Sequence, residues 1–264
     1  MRKPTMTAWA RSALPVVSAL ALAGAGLAAH QAAFAQSQAQ LQAQSKAQPK
    51  QQAKPTTPAQ AGSEAETQVA VADYNAGNFG IALKEFRDAA EHGNRLAQFN
   101  YAMMLLNGEG APADVDEGRR WLRKAADANM SHAQYVYGRM YDDGDFVSRD
   151  PTEAHRWFLK AAQQGHVQAE LALANQFLDG RGTARDNRQA FYWYKKAAEG
   201  GDMTAQYVTG SFYERGGDGV TPNLNVARAY YAAAAAQGDP AARLKFQQLS
   251  SELQRGAQGQ PKSK

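Results

Sequence analysis

The stretch Glu153–Ala162, which reads Glu-Ala-His-Arg-Trp-Phe-Leu-Lys-Ala-Ala, decides the fold because it returns with small changes four more times. Its closing Ala-Ala pair recurs at 89–90, 125–126, 161–162, 197–198 and 234–235, at intervals of 36, 36, 36 and 37 residues. Four residues ahead of the last four pairs stand Trp121, Trp157, Trp193 and Tyr230; the first has Glu85 there, with Phe86 beside it. Seven residues ahead of every pair is a small residue: Ala82, Gly118, Ala154, Ala190 or Ala227. A fixed period in the thirties marks an array of helical repeats, in which each unit buries its apolar face only against its neighbours.

Each unit reads as two helices. In the third, Ala133, Tyr137, Gly138 and Tyr141 share one face of a helix over 131–142, because residues three and four apart lie on the same side. Asp143-Gly144-Asp145-Phe146 then breaks it. Asp150-Pro151-Thr152-Glu153 opens the second helix: Asp as N-cap, Pro at the first helical position, Glu placed to close a capping box. Asp114 with Glu117 and Asp186 with Gln189 repeat the device, and Asn223 caps the fifth unit without the box. Gly165 and Gly201 stand where a left-handed residue ends the second helices. Ala154, Trp157 and Ala161 share a face, so the periodic aromatics are core. Ala102, Gly138, Ala174 and Gly210 are the matching close-contact sites on the first helices.

The flanks differ in kind. Arg2, Lys3 and Arg11, the uncharged run Leu14–Ala29 and the small residues of Ala33-Phe34-Ala35 form a secretory signal, expected to be cut after Ala35. The run is shorter and less apolar than a membrane span requires. No cysteine near the cut could carry a lipid, so neither a transmembrane segment after signal removal nor a lipid anchor is expected. Residues 36–62 and 256–264 are Gln-, Ala-, Ser-, Lys- and Pro-rich segments with little to bury and are expected to be disordered. That leaves 63–255 as the repeat domain. These flanks hold 8 of the 29 basic residues and no acidic ones, so the array has 21 basic against 25 acidic. A basic nucleic-acid face is not expected. With no cysteine, there is no disulfide framework, thiolate metal site or thiol nucleophile.

No catalytic constellation emerges. His92, His132, His155 and His166 lack the spacing of a helical zinc site and read as surface or turn residues. Asp142-Asp143-Gly144-Asp145 has the wrong order for a calcium loop. Gly108-x-Gly110 and Gly180-x-Gly182 lack the Lys and Ser/Thr of a phosphate loop, and no Gly-x-Ser-x-Gly is present. No catalytic, cofactor-binding or metal-ligating residue is assigned, no cofactor is expected, and the chain reads as a non-enzyme.

From Ala133 to Gly165, and nearly as well from Ala169 to Gly201, the pattern Ala-x3-Leu/Tyr-Gly-x2-Tyr-x2-Gly-x-Gly followed by Asp-x3-Ala-x2-Trp-x3-Ala-Ala-x2-Gly resembles Sel1-like repeats, relatives of the tetratricopeptide repeat. The second and fifth units match with substitutions such as Gly118 for Ala and Tyr230 for Trp. The first unit, with its short Tyr74–Phe79 turn, is closer to an ordinary tetratricopeptide repeat. The resemblance implies an all-α, right-handed α/α solenoid of about five helix pairs. Residues 240–254 would seal it as a C-terminal capping helix, with Arg243, Lys245, Gln247, Gln248 and Glu252 outward.

It also implies a protein or peptide partner held along the concave face of the first helices. Carrying over the tetratricopeptide positions, the row three before the close-contact residue is Phe99, Tyr135, Leu171 and Tyr207. The row one after it is Met103, Arg139, Asn175 and Ser211, and the row five after is Asn107, Asp143, Asp179 and Arg215. Aromatic residues beside a varied polar row suit an extended peptide or a partner helix. With the export signal, the reading is a periplasmic or secreted interaction scaffold of the cell envelope. The alternatives are a cell-wall or β-lactam ligand binder with weak hydrolase activity, as assigned to some cysteine-rich relatives, and a docking platform for an envelope polysaccharide or wall-assembly complex.

Overall fold

Gly108 and Gly110 show why the repeat needs its Gly-x-Gly. In the computed structural model, which describes residues 58–259, Gly108 ends a helix in the left-handed conformation at φ 71°. Gly110, at φ 82°, lies so close to the start of the preceding unit's second helix that a Cβ would sit 2.4 Å from the Phe79 carbonyl oxygen. Gly182 does the same against Pro151, at 2.0 Å. Only glycine fits such an approach. Each turn thus serves its own helix and packs the next unit onto the last.

Among the described residues the chain is all helix: α1 (Pro58–Asn75), α2 (Phe79–Glu91), α3 (Arg95–Asn107), α4 (Val115–Asp127), α5 (Ser131–Asp143), α6 (Pro151–Ala162), α7 (Val167–Asp179), α8 (Asn187–Glu199), α9 (Met203–Arg215), α10 (Leu224–Ala236) and α11 (Pro240–Gly259). Successive helices pack on one another in chain order, which makes five α/α pairs and a terminal helix, an α/α solenoid. Helix α1 starts at Pro58, inside the stretch read as linker, and α11 continues to Gly259, past the boundary read at 255. Proline fits the first turn of a helix, and Ala, Gln and Glu continue one well. The signal segment, the rest of the linker and residues 260–264 lie outside the described residues.

The N-caps are as the sequence requires. Asp114 Oδ1 accepts from Glu117 N at 2.8 Å, Asp150 Oδ1 from Thr152 N and Glu153 N at 3.0 Å, and Asn223 Oδ1 from Val226 N at 3.1 Å. The other half of the expected capping box is replaced. The backbone N–H of Asp114, Asp150 and Asp186 donates instead to the carbonyls of Leu105, Tyr141 and Phe177, at 3.0, 2.9 and 2.9 Å, near the end of the preceding helix. The box glutamates are therefore free to accept from the tryptophans. Glu117 takes the Trp121 indole N–H at 3.2 Å and Glu153 that of Trp157 at 2.9 Å.

The reading of the periodic aromatics as core holds for Trp157 and Trp193 and fails in part for Trp121 and Tyr230. The indole N–H needs a partner, which these glutamates supply, with the ammonium of Lys124 or Lys160 over the ring at 4.3 and 3.8 Å. Trp157 and Trp193 are buried, but Trp121 and Tyr230 are only half-buried. The constant core residue is the next one in every unit: Phe86, Leu122, Phe158, Tyr194 and Tyr231, all buried. The small residues do let the helices close, since a Cβ on Gly118 would meet Leu106 at 2.8 Å and one on Gly138 would meet Phe158 at 2.8 Å. At the C-terminal end Ala242 and Leu249 of α11 are buried against Tyr231 and Ala234. Lys245, expected outward, donates instead to Glu214 at 2.7 Å, and Leu244 is the most exposed large apolar residue of α11.

Candidate functional site: the face of the first helices

Helices α3, α5, α7 and α9 present the same positions in register, but each side chain has a different fate. Phe99 is 2% exposed and packs edge-on against the His132 ring at 4.9 Å, so it offers no surface; this corrects its assignment as a ligand-facing residue. Tyr135 and Tyr207 are half-buried. Tyr135 stacks on His166 at 4.7 Å and Tyr207 lies 5.4 Å from Tyr231. Leu171 is half-buried at the edge of the α6–α8 core. In the next row Met103 is half-buried over the α3–α4 core, and Asn175 accepts from the Tyr194 hydroxyl at 2.5 Å, which ties α7 to α8. Ser211 is half-buried and its carbonyl accepts from the guanidinium of Arg215 at 3.4 Å. Arg139 is exposed and paired with Asp143 one turn on, Nε to Oδ2 at 2.8 Å. Asn107, Asp179 and Arg215 are exposed at the helix ends. The accessible face thus has half-buried Tyr135, Leu171 and Tyr207 beside exposed Arg139, Asp143, Asp179 and Arg215.

The surface reading fails for two histidines, although His166 does lie at a turn between helices as expected. His132, from α5, and His166, the N-cap of α7, are both buried, with His132 Nδ1 3.2 Å from His166 Nε2. Their tautomers are fixed by the bonds around them. His166 Nδ1 accepts from Ala169 N–H at 3.3 Å, so the neutral ring carries its proton on Nε2. That N–H donates to His132 Nδ1, and His132 holds its own proton on Nε2. Burial pushes His132 down to about 4. Burial, then the neighbouring His132, pushes His166 down to about 3.

A metal ion between the rings would need a bare His166 Nε2 and hence an N–H at Nδ1, facing the Ala169 N–H. Among the described residues no group of three metal-ligating side chains occurs. The pair is a packing device that links three units: Phe99 on His132, His132 on His166, and Tyr135 on His166. Two signals pointed to it. His132 lies six before Gly138, in a row that faces ligand in tetratricopeptide arrays, and His166 follows Gly165 where Asn94 and Asp202 cap the equivalent helices.

The other two histidines fit the reading better. His92 is exposed near Glu66, and His155 Nδ1 lies 3.0 Å from Gln176 Oε1. Nothing in this set joins a nucleophile to an accessible base. What the face can do chemically is recognise, through apolar contact flanked by charges.

The family model for the Sel1 repeat matches residues 95–130, 131–166, 167–202 and 204–239. Among solved structures, c5321, a protective antigen present in uropathogenic Escherichia coli strains displaying an SLR fold, is 32% identical over 70% of this chain, with a TM-score of 0.63. The chain spans 40% of the length of that protein. A Sel1 repeat protein from Oxalobacter formigenes is 31% identical over 68% of this chain and 74% of its own, also with a TM-score of 0.63. No curated protein matches the chain. With four in-phase matches that together cover more than half of its length, the chain belongs to the Sel1 repeat family.

Proposed function

We propose that this protein is a non-catalytic adaptor of the cell envelope that holds an extended peptide or a partner helix along the first-helix face of its repeats. One observation carries the reading. Tyr135, Leu171 and Tyr207 form a half-buried apolar row in register across α5, α7 and α9, with Arg139, Asp143, Asp179 and Arg215 exposed beside it. A row of anchors with polar neighbours is the arrangement by which helical grooves read a ligand. Export rests on the signal at 1–35. None of the described helices is long and apolar enough to cross a membrane.

Crosslinking and mass spectrometry in intact cells test compartment and partner together. The expected result is an envelope protein linked to residues near Tyr135 and Arg139. Arg139→Glu breaks the pair with Asp143 and reverses a charge on the face. It should weaken capture at least tenfold in a pull-down while leaving thermal stability within about 0.5 kcal/mol, as for an exposed helix pair. Capture unchanged by Arg139→Glu would remove the face from the reading.

A further inference from the structure

Four first helices begin with the same buried register, and in three of them its polar residue is glutamine. Gln98 Nε2 donates to the Ala90 carbonyl at 3.2 Å, Gln134 to Ala126 at 3.1 Å, and Gln206 to Ala198 at 3.4 Å. Each bond joins the start of a first helix to the second alanine of the preceding Ala-Ala pair, so it closes the joint between successive units. Each of those carbonyls also accepts a backbone N–H from the turn, as Ala162 does from Gly165 at 2.9 Å. At the joint between the third and fourth units the glutamine is Glu170. It is 5% exposed, and among the described residues its carboxyl has no hydrogen-bond partner. Gln134 and Gln206 also receive an amide, from Gln164 at 2.7 Å and Gln237 at 2.8 Å. The position that would supply one to Glu170 is Gly200, and the Val167 side chain fills the place of its Cβ.

The chemistry of this replacement is one-sided. An amide carries the N–H that the Ala162 carbonyl lacks, and a carboxylate does not; only a protonated carboxyl can donate. We propose that Glu170 is a proton-operated latch at the joint of the third and fourth units. Protonated, its O–H donates to Ala162 as the glutamines do and closes α7 onto α6. Ionised, it sets a charge among buried acceptors and loosens that joint. The same joint carries the Tyr135–His166 stack, so opening it separates the α5 part of the first-helix face from the α7 part. The latch stands apart from the adaptor reading and would act on whatever the face binds.

Helices α6 and α8 pack against α7, and the charged groups that act on Glu170 lie on α8. From α8, Lys196 favours ionisation and Glu199 opposes it, and both count for less than burial, which raises the carboxyl to about 7. From α6, Glu153 is bonded to Trp157 and Arg156, His155 faces Gln176, and Lys160 covers Trp157. On α7 itself His166 lies one turn before and is engaged with Ala169 N–H. Because the native state keeps this proton above the carboxyl's ordinary value of 4.5, stability falls as pH rises from about 4.5 through about 7 and is level on either side.

The test is thermal unfolding of the full chain and its Glu170→Gln variant across pH 5 to 8.5, with hydrogen exchange at the α6–α7 turn. Glutamine should match the wild type at pH 5 and exceed it by on the order of 5 °C at pH 8. Taking the difference between the two proteins cancels every other titrating group. In the wild type alone, the Gly165 and His166 amides should lose about tenfold in protection, corrected for intrinsic rate, between those pH values. A difference that stays flat with pH, or that favours the wild type at pH 8, overturns the latch. Should Glu170→Gln fail to fold, carboxyl-carbon NMR of the wild type decides. Titration of Glu170 well above 4.5 supports the latch, and titration at or below 4.5 ends it.

Discussion

The second helices and the first helices of this array come from equally regular sequence, yet the second helices of the second and third units repeat one side-chain arrangement where the face positions of the first helices each differ. In α4 and α6 an N-cap aspartate, a glutamate holding the Trp indole and a lysine over its face recur with nearly the same distances. In α3, α5, α7 and α9 one register position is in turn a buried Phe99, a Tyr135 stacked on histidine, an edge Leu171 and a Tyr207 against Tyr231. The second helices are a frame repeated for stability. The first helices share a backbone path but vary in their side chains, and variation on a fixed frame is where recognition and regulation can be placed.

Cutting the frame gives the largest effect. Trp157→Ala removes a buried ring from the α5–α6 joint, along with the edge-on Tyr137 contact at 5.1 Å and the Lys160 contact. It should cost about 3–5 kcal/mol in urea unfolding. Trp121→Ala, at the same position but half-buried, should cost clearly less. Equal losses would mean that the repeat position, rather than its local burial, sets the energy.

The frame was legible and the face was not, for a physical reason. Frame residues answer to one partner each, at a fixed offset in the same or adjoining helix. Period and residue type therefore suffice to find the units, the caps and the small contact residues. What misled was a choice between neighbours: Trp is the more visible signal, but Leu122, Phe158, Tyr194 and Tyr231 are the constant core, because an indole must keep its N–H in reach of a carboxylate. Two of the face residues, Phe99 and Tyr135, answer to partners a whole unit away. His132 meets His166, and Phe99 meets His132, only once successive units are stacked, and no spacing within one unit announces that. Glu170 was hidden differently, as a change visible only when the four registers are set side by side.

The histidine pair gives the next largest effect, and its sign is opposite to that of Glu170. Both rings are held neutral in the native state, with His132 lowered to about 4 from 6.5. The unfolded chain therefore binds more protons below pH 6.5. Stability is fully present above 6.5 and is lost as pH falls toward 4, with each of the two rings contributing. Between pH 4.5 and 6.5 the two rings together outweigh the opposing gain from protonating Glu170, so the wild type should still lose stability as pH falls there. Replacing His166 by Asn, which caps α3 as Asn94 does, together with His132→Phe should expose a monotonic fall of stability with rising pH. If denaturant midpoints of that double variant still drop below pH 6, the acid sensitivity lies elsewhere in the chain.

The smallest effect belongs to the turns, where one unit departs from the frame. The position held by Gly110 and Gly182 in their units is Phe146 in the third. Its backbone is at φ 62°, a region that bulky residues enter only under strain, and its side chain is 47% exposed. A Cβ at this place cannot approach the preceding second helix as the two glycines do. The contact across the joint is made instead by Arg119, whose guanidinium reaches the Phe146 carbonyl at 3.4 Å. Phe146→Gly should relieve the strain and admit the closer approach, against the added backbone entropy of glycine in the unfolded chain. The balance is a gain of about 0.5–1 kcal/mol, read as a higher urea midpoint at unchanged slope. A loss instead would show that the exposed ring holds the loop in place, and that the third unit has exchanged the tight glycine turn for a different contact of equal strength.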